Sequence, residues 1–373
     1  MSKVKIQGNA SGTGVLTVTA PNTSTDRTIT LPDSTGTILD NTSTLDATKL
    51  SGNLPAISAA SLTNVPKDTT VGGRKNILIN GGFDVWQRGT SFSHSSGKNF
   101  ICDRWWVNPS SVVGTQTRQA AGVDGFNYAL RVQRTSGQSG TGLIYLQTEM
   151  ESADSMQFRG KKLTLSFYAK KGANFSQSNS QITSNVVTGT GTDQSLISGF
   201  TGGANVLSQN NTLTTSWQKF THTTSSVLAS NVNQIAVQFT HSPAGTAGAD
   251  DYYYITGVQL EVGDTATDFE HRSYGEELAL CQRYYYAWTS SGLSDNHYLQ
   301  SPYGYRGSSP PNATGAAHHE FPTTMRTNPT VAGTASWSIA RLTGNINGLT
   351  VQIATLASGN AYYLTSYTAD AEL

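Results

Sequence analysis

The stretch KKLTLSFYAK, residues 161–170, alternates apolar and polar side chains without interruption. Leu163, Leu165, Phe167 and Ala169 fall on one face of an extended chain, and the polar residues between them fall mostly on the other. A period of two over this length predicts a β-strand with one buried face. A second sheet has to cover that face, so the stretch indicates a β-sandwich.

Similar strand-like runs lie on both sides of this stretch, at 128–133, 217–223, 235–240 and 252–260. Residues 75–80 predict a further apolar strand, which leads into Gly81 and Gly82. Loops rich in Gly, Ser and Asn separate the runs. The pattern predicts an all-β protein with a central jelly-roll domain over residues 73–272.

The composition restricts the classes of partner. Hydrophobic residues make up 36% and charged residues 13% of the 373 positions, and the formal net charge is +0. This balance, without a Lys/Arg cluster, argues against nucleic-acid binding. We also expect no membrane insertion, because no apolar run of ~18 residues occurs, and the N-terminus lacks a signal-peptide core.

The cysteines Cys102 and Cys281 lie far apart in the sequence and show no metal-binding spacing. We expect two buried free thiols, and one disulfide is the alternative.

Residues 1–72 contain no Trp, Tyr or Phe and show only short alternating stretches. Such a segment has too few large apolar groups to form its own core. In residues 45–66 apolar side chains recur every three to five positions among Ser, Thr, Ala, Gly and Asn. A flexible linker is one interpretation. We favour an extended stalk wound around two identical chains, which predicts a homotrimer.

Several motifs carry a resemblance to a known family. TLPDSTGT at 30–37 and the run from Lys49 to Val65 resemble the stalk repeats of bacteriophage tail fibres, and such stalks are trimeric in that family. NILINGGFDVWQRG at 76–89, followed by DRW at 103–105, resembles a domain that recurs in phage tail fibres. More loosely, this motif and YITGVQLE at 254–261 are similar to the first and last strands of jelly-roll carbohydrate-binding modules.

Residues 273–373 predict a smaller β-sandwich that forms a distal tip. The segment begins with a helix over 275–283, whose acidic residues lie in the first turn. Strands follow at 284–288, 335–342, 349–356 and 361–368. The stretch from Glu277 through the tyrosines at 284–286 again resembles the phage-fibre family.

The resemblance implies a tail fibre of the virion, attached through its N-terminal region to the phage tail or to an adaptor protein. Such a receptor-binding protein would attach to the host cell by binding a surface glycan or an outer-membrane protein. We expect no enzymatic activity, because no nucleophile elbow, zinc-protease motif or phosphate loop is present. The alternatives are a carbohydrate-binding module of a bacterial secreted protein and a tail-spike polysaccharide hydrolase.

Candidate ligand-binding residues lie in the loop 301–312, which carries Tyr303, Tyr305 and Arg306 between Gly and Pro residues. Aromatic rings stack on the CH-rich faces of sugars, and a guanidinium binds hydroxyl groups. The sequence therefore predicts a glycan contact in this loop.

The similarity to carbohydrate-binding jelly rolls implies one candidate metal site, a structural Ca²⁺ between the first and last strands. Its ligands here would be Asp84, Asp251 and Glu261, since oxygen ligands suit this ion. Capped turns at strand ends explain the same residues equally well. We expect no other cofactor.

Overall fold

Two antiparallel sheets of six strands each pack face to face within residues 74–262. The computed structural model describes residues 11–12, 24–25, 74–289, 297–298, 315–335, 339–353 and 363–373. The first sheet has the strand order β1 (Ser91–His94), β4 (Gly114–Ala120), β5 (Tyr128–Arg134), β12 (Tyr252–Val262), β7 (Leu163–Lys171) and β10 (Gln218–Thr223). The second sheet has the order β2 (Asn99–Phe100), β3 (Trp106–Pro109), β6 (Ile144–Glu149), β11 (Gln234–His241), β8 (Gln181–Gly189) and β9 (Ala204–Thr212).

The core of this sandwich forms from the apolar faces that the alternation predicts. Leu163, Leu165 and Phe167 of β7 are fully buried. Phe167 meets Phe239 of the opposite sheet edge-on, with ring centroids 4.8 Å apart. The chain passes repeatedly from one sheet to the other, as in a jelly roll. The all-β class and the central β-sandwich are thus confirmed.

The apolar segment 75–80 is not a strand, which corrects one prediction. The side chain of Asn76 supplies part of the bonding to β12, since its Nδ2 donates to the carbonyl oxygen of Val258 at 3.1 Å. Its Oδ1 accepts from the backbone N–H groups of Leu78 and Leu260, at 3.1 and 3.2 Å. Asn80 then turns the chain with φ +57°. The backbone N–H of Ile77 also donates to the Leu260 carbonyl oxygen at 2.9 Å, so the Asn76 amide and one backbone bond hold the segment to β12 without a continuous strand pairing.

The described helices are few and short. Helix α2 spans Tyr274–Gln282, and the Ser273 hydroxyl caps it by accepting from the Glu276 N–H. This confirms the helix predicted over 275–283. The sequence did not predict the single-turn helix α1, Ser152–Ser155, or the short 3₁₀ turns at Met156–Phe158, Ser178–Ser180 and Leu196–Ser198. None of the helices in the described part is long and apolar enough to cross a membrane.

Two small antiparallel sheets form the C-terminal part. One contains β13 (Tyr285–Thr289), β14 (His297–Tyr298), β16 (Thr330–Ala335) and β19 (Tyr363–Asp370). The other contains β15 (Gly315–Glu320), β18 (Gly348–Ile353) and β17 (Ile339–Asn345). Buried Tyr367, Met325 and Val351 form a separate core there. Of the strand predicted over 335–342, Ala335 is the last residue of β16 and 339–342 lie in β17, while 336–338 lie outside the described residues.

Contacts divide the chain into two units, Met1–Val65 and Pro66–Leu373. The stalk predicted for residues 1–72 lies almost wholly outside the described residues, and the homotrimer and tail attachment stay predictions. The boundary predicted between residues 272 and 273 also stays a prediction. Cys102 and Cys281 are both buried free thiols, as expected.

Candidate functional site

A cavity of about 710 Å³ lies where the β4–β5 turn, the segment after β12 and the start of α2 converge. Its size falls within the usual range of small-molecule sites. The wall consists of Gly82, Asp84, Arg118, Gly125, Asn127, Tyr128, Phe269, His271, Arg272, Tyr274 and Glu277. Charged groups of both signs and aromatic rings therefore surround one space.

The turn at Asn80 to Asp84 builds one side of this cavity. Asn80 and Phe83 both adopt positive φ, +57° and +56°. The buried Asn80 side chain fixes this conformation, because its Nδ2 donates to the carbonyl oxygens of Val85 and Asp103, each at 2.9 Å. Gly81 leaves no room for a side chain, since an added Cβ would lie 2.0 Å from the carbonyl oxygen of Val258. The Asn-Gly-Gly sequence thus places Asp84 at the cavity.

Asp84 is an acidic side chain of the cavity wall with a raised pKa. Burial raises the pKa of its carboxyl group, and the nearby negative charge of Glu277 acts in the same direction. A hydrogen bond with Asn127 and the charge of His271 oppose this shift of the pKa. Its buried Oδ1 has no hydrogen-bond partner within the described chain. Buried polar atoms are usually paired, so this oxygen is available to a ligand.

Arg118 and Tyr128 form another part of the wall. The Arg118 guanidinium lies over the Tyr128 ring, 4.4 Å from its centroid. No carboxylate within the described ranges forms an ion pair with Arg118. Its N–H donors are therefore free to bind a ligand while the ring holds the guanidinium in place.

The segment after β12 supplies an aromatic cluster. Phe269 and His271 lie 4.9 Å apart between ring centroids, and Phe126 packs against them at 5.0 and 5.3 Å. Tyr274, in the first turn of α2, is 61% exposed. The cluster gives the cavity a rigid aromatic side and leaves one tyrosine open to solvent.

Arg272 and Glu277 fasten this segment to the sandwich. The Arg272 guanidinium contacts both oxygens of Glu277 at 3.2–3.3 Å and donates to the Leu78 carbonyl oxygen at 3.1 Å. Glu270 also accepts from Arg272, at 3.2 Å. Glu277 further accepts from the Asn80 N–H. These bonds occupy both terminal nitrogens of Arg272, and its buried Nε has no hydrogen-bond partner in the described part of the chain. Arg118 and the Asp84 Oδ1 are the charged groups of the wall without a protein partner among the described residues.

The arrangement suits a ligand with hydroxyl groups and apolar faces. Aromatic rings can cover the CH face of a pyranose, while carboxylate, amide and guanidinium groups bind its hydroxyls. Asp84 and Glu277 also bring two carboxyl groups to the same cavity. Most glycoside hydrolases use two carboxyl groups for catalysis.

The structure separates the three residues predicted to bind calcium. Asp84 lies at the cavity, whereas Asp251 pairs with Arg134 at 3.4 Å and accepts from the Ser176 hydroxyl at 2.8 Å. Glu261 accepts from the N–H and hydroxyl of Thr267, each at 2.8 Å. No cluster of three or more metal-ligating side chains occurs in the described part of the chain. Protein groups thus occupy Asp251 and Glu261, and a calcium site stays a prediction.

The predicted glycan-contact residues Tyr303, Tyr305 and Arg306 lie outside the described residues. Sequence reasoning missed most of the cavity, above all Arg118, Tyr128 and His271. A local signal did exist in DFEHRS at 268–273, where aromatic, acidic and basic residues follow directly after the last strand.

No protein-family model matches the chain, and no curated protein matches it. Several solved structures are similar to it at low sequence identity. A CBM4 structure is 19% identical, covering 49% of this chain and 98% of its own, with a TM-score of 0.28. A CBM61 module in complex with β-1,4-galactotriose is 13% identical, covering 51% and 100%, with a TM-score of 0.29.

The enzymatically active domain of a bacteriophage CBA120 tailspike protein is 11% identical. The match covers 50% of this chain and 21% of that protein, with a TM-score of 0.30. Likenesses at this level assign no function. The β-sandwich class rests on the strand pairings described above.

Proposed function

We propose that this protein is a bacteriophage tail fibre that binds a glycan of the host surface in the cavity beside Asp84. The observation that carries the glycan part is the cavity itself, where Tyr128 and Phe269 provide ring faces. Among the described residues, the Asp84 Oδ1 has no hydrogen-bond partner and no carboxylate pairs with Arg118. A sugar ring offers the matching groups, hydroxyls around its edge and CH groups on its face.

The tail-fibre part of the proposal rests on the sequence. The stalk-like motifs at 30–37 and 49–65 and the NILINGGFDVWQRG motif support it. A trimer carrying three copies of a shallow site would hold a cell surface through avidity, even when each site is weak. The protein would then belong to the virion, joined by its N-terminal region to the tail or to an adaptor protein.

Glycan-array binding by the full chain tests the cavity. We expect Asp84→Asn and Tyr128→Ala each to weaken binding about tenfold, which corresponds to about 1.4 kcal/mol. Asp264→Asn is the matched control, because Asp264 is exposed and, among the described residues, its side chain hydrogen-bonds with Thr265 alone. Binding that is unchanged in both cavity variants would place the glycan elsewhere.

Native light scattering tests the fibre part separately. A mass near three times 39.7 kDa supports the wound stalk, and a monomer favours a carbohydrate-binding module of a secreted protein. Competition with phage adsorption on candidate hosts then separates these two roles.

A polysaccharide hydrolase is the second candidate, favoured by one observation. Asp84 has a raised pKa and shares the cavity with Glu277, and a glycosidase acid needs such a pKa. Release of reducing sugar from a bound polysaccharide, lost in both Asp84→Asn and Glu277→Gln, would establish hydrolysis in place of binding alone.

A further inference from the structure

The first sheet carries a row of cationic and aromatic side chains on the face turned away from the sandwich core. Along β12, Tyr252 and Tyr254 are partly exposed, whereas Tyr253 and Ile255 between them are fully buried. Strand register sets Tyr254 beside Arg131 of β5 on one side and Lys170 of β7 on the other. Three neighbouring strands thus present a cation, a ring and a cation in line.

The rings of this face form one connected surface. Tyr252 and Tyr254 lie 5.0 Å apart between centroids, and Trp217 continues the surface at 6.2 Å from Tyr254. The Lys170 Nζ lies 4.9 Å from the Trp217 ring and 5.0 Å from the Tyr254 ring. The Arg131 guanidinium lies 5.6 Å from the Tyr252 ring. The aromatic groups therefore hold both cations at the surface.

Arg131 and Lys170 lack an acidic partner in the part of the chain that the structure describes. Within the described residues no carboxylate forms an ion pair with Arg131 or Lys170, and the buried Arg131 Nε lacks a hydrogen-bond acceptor. Arg134, three positions along the same strand, is by contrast paired with Asp251. The acidic residue at this edge, Asp250, is exposed and pairs with neither cation. The chain as a whole has a net charge of +0, so this positive surplus is local.

We propose that this face, defined by Arg131, Lys170, Trp217, Tyr252 and Tyr254, binds an acidic polysaccharide, one that carries carboxylate groups on part of its sugars. Two strand spacings separate Arg131 from Lys170 by about 10 Å. The rings cover the CH faces of a sugar chain between two carboxylates, each held by one cation. Two cations suit a polymer with charges at intervals, whereas a nucleic-acid strand carries a phosphate on every unit. The face shares no residue with the Asp84 cavity, so it stands independently of the proposed function.

Affinity electrophoresis of the full chain tests this site with two polymers of one backbone. Partly methyl-esterified polygalacturonate carries carboxylates on part of its sugars, and fully methyl-esterified polygalacturonate lacks them; hyaluronate, with a carboxylate on every second sugar, extends the acidic panel. We expect retardation by at least one acidic polymer, weakened by salt, and none by the methyl ester. Arg131→Gln with Lys170→Gln should reduce the affinity at least about tenfold. Tyr254→Ala should weaken it as well, with both charges kept.

The matched control removes one lysine and one arginine elsewhere. Lys161→Gln with Arg341→Gln fits this purpose, since both residues are exposed and neither side chain has a partner in the described part. Thermal melting establishes that each variant is folded. The proposal is overturned by any of three results. The control variant could lose as much affinity as the Arg131/Lys170 variant, the methyl ester could bind as well as the acidic polymers, or no acidic polymer could bind at low ionic strength. Tighter binding of single-stranded DNA than of every acidic polymer overturns it in favour of nucleic acid.

Discussion

Arg104 of the sandwich and Glu372 at the end of the C-terminal part form an ion pair that is almost fully shielded from solvent. The two side chains are 4% and 2% exposed. Arg88 contacts the same carboxylate at 3.4 Å and also pairs with Asp370 at 3.2 Å. A buried pair of this kind is costly to break, because the remaining charge loses its partner in a dry environment. The pair therefore ties the last strand of the C-terminal part to the sandwich.

Glu372→Ala is predicted to lower the free energy of unfolding by about 3–5 kcal/mol, since it leaves both arginines without this carboxylate. Urea denaturation measures the change. Glu320→Ala is the control, because Glu320 is exposed and has no ion pair among the described residues. If Glu372→Ala lowers the free energy of unfolding no more than Glu320→Ala does, the ion pair does not stabilise the contact between the C-terminal part and the sandwich.

Gly81→Ala is predicted to destabilise the protein by about 2 kcal/mol or more, because the new Cβ would overlap the carbonyl oxygen of Val258. Gly275→Ala is the matched change. Nothing lies within 4 Å of a Cβ at Gly275, in the first turn of α2, so alanine there should stabilise by about 0.5 kcal/mol. Differential scanning calorimetry of both variants checks the opposite signs. Equal changes of stability in the two variants would show that the backbone at Gly81 can shift to make room for the new Cβ.

The buried His241 makes the stability of the sandwich depend on pH. It lies buried against Phe175 and Tyr253, and burial, aided by the charge of Arg134, lowers its pKa to about 3. The unfolded chain binds a proton near pH 6.5 and the folded chain does not. The neutral, buried His241 therefore leaves the free energy of unfolding undiminished above about pH 6.5. As the pH falls from about 6.5 towards 3, this free energy decreases by up to about 1.4 kcal/mol per pH unit.

His241→Phe should remove that slope while keeping an aromatic ring in the core. Urea denaturation between pH 7 and pH 4 measures it in both proteins. His318→Phe serves as the control, because His318 is exposed on β15 and should leave the slope in place. Parallel pH profiles for the wild type and His241→Phe would assign the acid sensitivity to other groups.

The thiols of Cys102 and Cys281 should not react with a disulfide reagent in the native protein. Both are free and fully buried, and burial raises the pKa of each thiol well above its usual value. Reaction of both groups should appear only when the chain unfolds in guanidinium chloride. Ser96→Cys provides the comparison, since this exposed position should react at once. Rapid labelling of the unmodified native chain would mean that the core opens locally.

Much of the fold follows from local patterns in the sequence. The alternation at Leu163 to Ala169 places β7 correctly, since side chains on a strand alternate between a dry and a wet face whatever their partner is. Ser273 and the acidic residues after it mark the start of α2 in the same way, because a capping hydroxyl acts within one turn. Each of these signals involves neighbours in the chain.

The conformation of residues 75–80 and the position of the cavity depend on the tertiary structure alone. Ile77 and Leu78 have the side chains of a strand, yet the segment pairs with β12, about 180 positions away, through the Asn76 amide and a single backbone bond from Ile77. Asp84, Arg118 and His271 come from three distant segments that meet only after the sheets have formed. The sequence by itself determined strongly alternating strands such as β7 and the start of α2, because periodicity and capping are local. It could not place the cavity, because distances between remote side chains depend on how the folded elements pack.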